Sequence, residues 1–299
     1  MPSIRKAVIP AAGLGTRLFP LTRATPKEML PVGGQPVIEH TIRELVASGI
    51  DEITVVISGN KALIQEHFAP DDQLADQLLL SGKPELAAAV NELSDLGAHL
   101  NFVYQRGPYG NGTPILTAAS RFLNDEPFLA LWADDVFVSD RPRARQLIEA
   151  YEATGSPIIA LMPMRREESV RYGVPIVEKD LGEGRLRISG LVEKPKPEDA
   201  PSLYAAIGGY VITPEIIAEL AARTRRWQEL RDGEIYLTHA LHAYAVQHTL
   251  VGQLLEGTWY DTGNHLSYLK AQFAAALADP VHGPELRQFI HQLDTPVGA

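Results

Sequence analysis

The chain has 299 residues, no cysteine, 45% hydrophobic residues and a formal net charge of −10. Without cysteine there is no disulfide framework and no thiolate chemistry, which fits a reducing, cytoplasmic setting. The acidic balance argues against nucleic-acid binding but leaves an anionic small molecule open if the basic residues gather locally.

The chain begins MPSIRKAVIP, without the apolar core of a signal peptide, and no run approaches about 18 apolar residues, so no membrane span is expected. KAVIP reads as a first buried strand. PVIEHTIRELVASG carries Ile38, Ile42, Leu45 and Val46 at helical spacing and stops at Gly49. EITVVIS is a second buried strand. Helical stretches are expected over 60–68, 71–80 and 84–96, then a strand at LNFVY and a helix at TPILTAASRFL. The strand FLALW runs out at Asp134 and Asp135, a helix covers 142–153, and PIIALMP is a further strand. This order argues for a doubly wound α/β fold with a mixed, mostly parallel sheet, Rossmann-like in plan. After about residue 170 the texture changes. YGVPIVEK, LRISGLVEK and AAIGGYVIT are strand-like without long helices between them, which suggests added antiparallel strands. Helices are expected near 214–222, 234–247, 264–277 and 283–293. A single domain over 1–277 and a helical tail over 278–299 follow from the lack of any linker or repeat.

The loop after the first strand is AAGLGTRLFPLTRATPKEMLPVGG. In doubly wound sheets ligands bind beyond the carboxyl ends of the strands. Gly13 and Gly15 let a ligand approach the main chain, whose N–H groups can cradle phosphate. Arg17 can hold phosphate oxygens in bidentate fashion, and Lys27 adds a mobile point charge. A Walker A loop is absent, and the dinucleotide pattern G-x-G-x-x-G fails at Leu18.

The longer string AAGLGTRLFPLTRATPKEMLPVGGQPVIEH resembles the signature of the sugar-1-phosphate nucleotidylyltransferases, and PKEMLPV is most similar to the bacterial UTP–glucose-1-phosphate uridylyltransferases. The likeness continues through LVEKP at 191–195, GEIYLTHAL at 233–241 and WYDTGN at 259–264, in the family's order. DDQLADQLLLSGKPELAAAVNEL resembles an insertion of the uridylyl branch.

The resemblance implies a nucleotide-binding part to about residue 140 and a sugar-binding part over about 141–262. It implies formation of UDP-glucose and pyrophosphate from UTP and glucose 1-phosphate. The attacking phosphate is already ionised, so the task is to align two polyanions and neutralise charge on the leaving group. Arg17 is expected to grip the triphosphate, Lys27 the α-phosphate region, and Lys194 the sugar phosphate. Ala12 and Gly13 would bind nucleotide through main-chain groups, Gly15 belongs to the same loop, and Glu28, Gln105 and Gly110 are candidates for the base. Gln105 offers both a donor and an acceptor to a pyrimidine edge. Gly173, Glu193, Ile207 and Gly208 are expected on the sugar. Mg²⁺, which takes one or two carboxylates plus phosphates and water, is expected on Asp134, taken over Asp135, and on Asp261. The family also implies a homo-oligomer. A dTTP-using or other hexose-1-phosphate enzyme, or a catalytically silent nucleotide-sugar regulator, stands as the alternative. Tyr236, His239, Gly209 and Thr113 depart from the family's usual residues and put sugar identity and effector control in question.

Overall fold

A computed structural model describes residues 4–59, 61–122, 125–230 and 234–294. Asn60, Leu123, Gly233 and positions 295–299, parts of the expected helices, of the GEIYLTHAL motif and of the tail, lie outside the described residues. The chain opens with β1 (Lys6–Pro10), the short hairpin β2 (Pro31–Val32) and β3 (Gln35–Pro36), α1 (Val37–Ala47) and β4 (Glu52–Ile57). α2 (Ala62–His67), α3 (Asp72–Leu80) and α4 (Pro84–Gly97) lead to β5 (Leu100–Tyr104), α5 (Gly112–Phe122), β6 (Phe128–Leu131) and β7 (Asp135–Val138). α6 (Arg143–Thr154), β8 (Ile158–Pro163), β9 (Gly173–Gly182), β10 (Arg185–Glu193) and β11 (Tyr204–Ile212) follow. The chain closes with α7 (Pro214–Leu230), α8 (Leu237–Gln247), β12 (Leu250–Leu254), β13 (Thr258–Asp261), α9 (His265–Ala278) and α10 (Gly283–Asp294).

The mixed α/β architecture is as expected, and the helices and strands read from periodicity are found near their places. The sheet itself departs from a plain doubly wound plan. Nine strands run in the order β5-β4-β1-β6-β11-β8-β12-β10-β9. β5, β4, β1 and β6 are mutually parallel, as are β8 and β12. β11 is antiparallel to β6 and to β8, and β10 is antiparallel to β12 and to β9. β9 also turns back to touch β11, with Gly173 opposite Ala206, so this half of the sheet partly closes on itself. The short connections in this region permit it, because antiparallel neighbours need no helical crossover.

Alternating side chains of each central strand go to opposite faces. Ile9, Ile53, Val55 and Leu131 pack with Ile38, Ile42 and Leu147 of α1 and α6. Val8, Val56 and Ala130 pack with Ile115, Ile216 and Leu241 of α5, α7 and α8. A smaller cluster joins Leu18, Leu30 and Val32 of the glycine-rich segment to Val136 of β7 and to Tyr268 and Ala271 of α9. It fixes the loop after β1 against the last part of the chain. Among the described residues no helix is long and apolar enough to cross a membrane.

Candidate active site

β7 and β13 form a two-stranded ribbon outside the main sheet, with Asp261 opposite Asp135. Neither strand was expected from the sequence. Beside the ribbon, Thr262 donates both its N–H and its hydroxyl to the carbonyl of Asp134, at 2.9 and 2.7 Å. The end of β13 is thereby tied to the turn after β6. A Cβ placed on Gly263 would lie 2.9 Å from each of Arg17 Nη2, Asp134 Oδ2 and Asp261 Oδ1. The two carboxylates, far apart in sequence, therefore lie within twice that distance of each other, packed around a glycine where any side chain would crowd them.

The glycine-rich loop faces this point. Gly15 takes the left-handed conformation, with φ of 68°, which costs glycine little and other residues more. Thr22 Oγ1 donates to its carbonyl at 2.9 Å. A Cβ on Gly13 would lie 3.8 Å from Lys27 Nζ, so the bare main chain there looks onto an ammonium. Lys27 donates to Asp134 Oδ2. Arg17 is largely exposed and stands 3.9 Å from Asp261. Burial works against the charge of Lys27, but the Asp134 and Glu28 carboxylates outweigh it and hold its pKa above the usual range. Burial likewise works against the charge of Asp134, yet Lys27 and Arg17 hold it below the usual carboxylate range.

Asp135 behaves differently from its neighbour. Its Oδ1 accepts from Trp259 Nε1 at 2.8 Å and its Oδ2 from the Gly208 N–H at 2.9 Å. Arg143, fully buried, lies 3.6 Å from it and donates to the Gly208 carbonyl at 3.0 Å. Burial and the neighbouring Asp134 carboxylate push Asp135 up to about 7. Its Oδ2 thus pins the backbone of β11 while its Oδ1 holds Trp259, and the carboxylate beside Gly263 and Asp261 Oδ1 is that of Asp134.

On the sugar side, Gly173 and Glu193 are register partners on β9 and β10. A Cβ on Gly173 would sit 2.7 Å from the Thr238 methyl and 3.5 Å from Glu193 Oε2. Thr238 Oγ1 donates to Glu193 Oε2 at 2.7 Å. Lys194 has φ of 47°, and its ammonium lies 3.5 Å from Glu193 and 5.1 Å from the Tyr236 ring centroid. Its N–H donates to the Tyr172 carbonyl at 3.0 Å, and the Tyr172 hydroxyl donates to Asp261 at 3.2 Å. One residue therefore links the two halves of the site. Ile207 is buried in the core, and Gly208 lies in the irregular register of β11, pinned by Asp135 and Arg143.

The residues expected on the base are placed less directly. Ala12 and Gln105 are half-buried, and the Gln105 N–H donates to the Ile57 carbonyl at 2.8 Å. Gly110 has φ of 134°, and a Cβ on it would fall 2.3 Å from the Ile235 carbonyl oxygen. Packing on this backbone already requires a glycine there. Gly110→Ala should lower the unfolding free energy by about 2 kcal/mol or more, checked by chemical denaturation. Glu28 is sealed from solvent and paired with Lys61 at 2.5 Å.

Arg171, Tyr172, Thr238 and Lys61 were not foreseen as parts of the site. Arg171 and Tyr172 stand just before the glycine of YGVP, and Thr238 lies inside EIYLTHAL. For Lys61, no local pattern marks it.

The residues suit a divalent cation in one respect that matters. Two carboxylate oxygens, Asp134 Oδ2 and Asp261 Oδ1, come together beside Gly263, and Mg²⁺ characteristically takes few protein oxygens and leaves the remaining positions to phosphate and water. Among the described residues there is no cluster of three or more His, Cys, Asp or Glu that would instead form an all-protein cage.

A nucleotidyl transferase family model matches residues 6–276. A UTP–glucose-1-phosphate uridylyltransferase of Staphylococcus epidermidis is 39% identical over 98% of this chain and 100% of its own length. Another of that name, from Bacillus subtilis, is 38% identical over 98% of both chains. The structure is similar to a UTP-bound UGPase from Acinetobacter baumannii, with a TM-score of 0.86 and 30% identity over 97% of this chain and 100% of that one. It is also similar to a UDP-glucose pyrophosphorylase complexed with UDP-glucose, with a TM-score of 0.77 and 31% identity over 91% and 98%. With the glycine-rich loop, the two aspartates and the paired strands all inside the matched span, the chain belongs to the nucleotidyl transferase family.

Proposed function

We propose that this chain transfers a uridylyl group from UTP to glucose 1-phosphate, releasing pyrophosphate and forming UDP-glucose. The observation that carries the reading is the convergence of Arg17, Asp134 and Asp261 around Gly263, beside a loop whose main chain faces Lys27. The full-length relatives named for this reaction support the choice of substrates.

An ionised phosphate oxygen of the sugar phosphate attacks the α-phosphorus of UTP. The new O–P bond forms as the bond to the β-phosphate oxygen breaks, and that oxygen leaves with pyrophosphate. No protein base is needed, because the nucleophile carries its charge already. Arg17 and the N–H groups from Ala12 to Gly15 hold the triphosphate, and Lys27 meets charge at the α-phosphate. Glu193, oriented by Thr238, accepts from sugar hydroxyls while Lys194 holds the sugar phosphate. Gly173 and Gly208 keep the backbone close to the sugar, beside Ile207. Gln105, Gly110 and Glu28 belong to the nucleotide half in this reading. Asp134 and Asp261 would hold Mg²⁺, which supplies charge neutralisation at the phosphates when bound.

The test is pyrophosphate release from UTP and dTTP against several hexose 1-phosphates, with and without Mg²⁺. The expected result is turnover that requires UTP, glucose 1-phosphate and Mg²⁺ together. A preference for dTTP or another hexose phosphate would replace the substrate assignment. UDP-glucose binding with no turnover in either direction would make the protein a silent regulator.

A further inference from the structure

Asp261 is surrounded by more positive charge than a cation-binding carboxylate needs. Its Oδ2 accepts from Arg171 Nη2 at 2.6 Å, from the Tyr172 hydroxyl at 3.2 Å and from Asn264 Nδ2 at 3.4 Å. Its Oδ1 accepts the Gly263 N–H at 3.0 Å and comes close to Asp134 Oδ2 beside that glycine. Arg17 and Lys27 add two further cations to these two carboxylates.

The three cations are placed differently. Arg17 and Lys27 belong to the loop after β1, where a triphosphate would draw on their charge, although Lys27 already donates to Asp134. Arg171 comes from the segment before β9. Its guanidinium lies 5.0 Å from the Tyr172 ring centroid and is held on Asp261 by a direct hydrogen bond. Its charge is therefore fixed at the carboxylate itself.

We infer that Arg171 makes the divalent-cation site conditional on the triphosphate. It is a positioning residue for the metal carboxylate, and the inference rests on reading Asp134 and Asp261 as the pair that holds the cation. The Arg171 charge opposes a second cation at Asp261, and the site gains affinity only when the anionic triphosphate offsets the surplus. Without such a device, Asp134 and Asp261 could hold a divalent ion before the nucleotide arrives. With it, metal and nucleotide are taken up together.

Mn²⁺ is the probe, and the nucleotide-free full-length protein is titrated while free Mn²⁺ is followed by electron paramagnetic resonance. Arg171→Gln should bind Mn²⁺ about tenfold more tightly than wild type, since a divalent and a monovalent cation a few ångströms apart repel by that much even at the dielectric of water. Arg171→Lys keeps the charge and should stay near wild type. Adding Asp261→Asn to Arg171→Gln should abolish the gain. Circular dichroism establishes that each variant is folded. If Arg171→Gln binds no more tightly than wild type, or if Arg171→Lys tightens binding as much as Arg171→Gln does, the inference is overturned. The underlying reading fails separately. In that case the ternary complex with UTP, seen by water-proton relaxation, would survive Asp261→Asn.

Discussion

Asp134→Asn and Asp261→Asn are each expected to slow turnover by about 10²–10³-fold, the scale on which lost transition-state electrostatics is felt. The change is nearly isosteric and removes one negative charge from the pair of carboxylates beside Gly263. Folding should survive it. At position 261 an asparagine keeps an oxygen for the Gly263 N–H, and at 134 the backbone carbonyl that anchors Thr262 is untouched. Asp135→Asn provides the internal comparison. That side chain is engaged by Trp259 and the Gly208 N–H, so its substitution should cost stability more than rate. The measurement is pyrophosphate release at saturating substrates, with circular dichroism as the folding control. Wild-type rates in both Asp134→Asn and Asp261→Asn would remove the two carboxylates from the mechanism.

The fold was legible where burial is regular. Strands such as EITVVI are buried on both faces, and α1 sets its apolar residues at helical spacing, so both announce themselves. β7 and β13 did not. Each is four residues long and carries polar or aromatic side chains, and each is made a strand by pairing with the other across the chain. A tertiary pairing of that kind leaves no local period. β11 is antiparallel as its texture suggested, but its place between β6 and β8 was hidden for the same reason.

At the site, the glycines and basic residues of the opening loop were readable because their chemistry is written in one short string. The family pattern alone favours Asp134 over its neighbour Asp135, since two identical side chains carry no direction of their own. The direction of each side chain on the turn separates them. Arg171 and Lys61 were invisible because each acts through a partner distant in sequence, Asp261 for one and Glu28 for the other.

Lys61→Met carries the largest expected effect on stability. Both members of the Glu28–Lys61 pair are almost wholly buried, with side-chain exposures of 1% and 3%. Burial pushes Glu28 up and Lys61 down, each against the other's charge. Glu28 Oε1 has no hydrogen-bond partner among the described residues, so Lys61 carries much of the compensation for this carboxylate. The Lys27 charge also eases the Glu28 carboxylate, but its ammonium donates to Asp134, whereas Lys61 donates to Glu28 itself. Removing Lys61 should therefore cost roughly 3–5 kcal/mol, the usual penalty for breaking a buried pair from one side. The loss should depend on pH with a definite sign. In the variant, the folded-state pKa of Glu28 lies still further above its unfolded value. Its favourable contribution is then complete below the unfolded pKa and is lost as pH rises through the folded one. Lys61→Met should consequently fall furthest behind wild type on the alkaline side. Adding Glu28→Leu removes the stranded charge and should restore most of the stability, since apolar replacement of a whole buried pair is often neutral. Urea unfolding of the three proteins at two pH values decides it: if Lys61→Met unfolds at the wild-type midpoint at both, Glu28 is compensated by something other than Lys61.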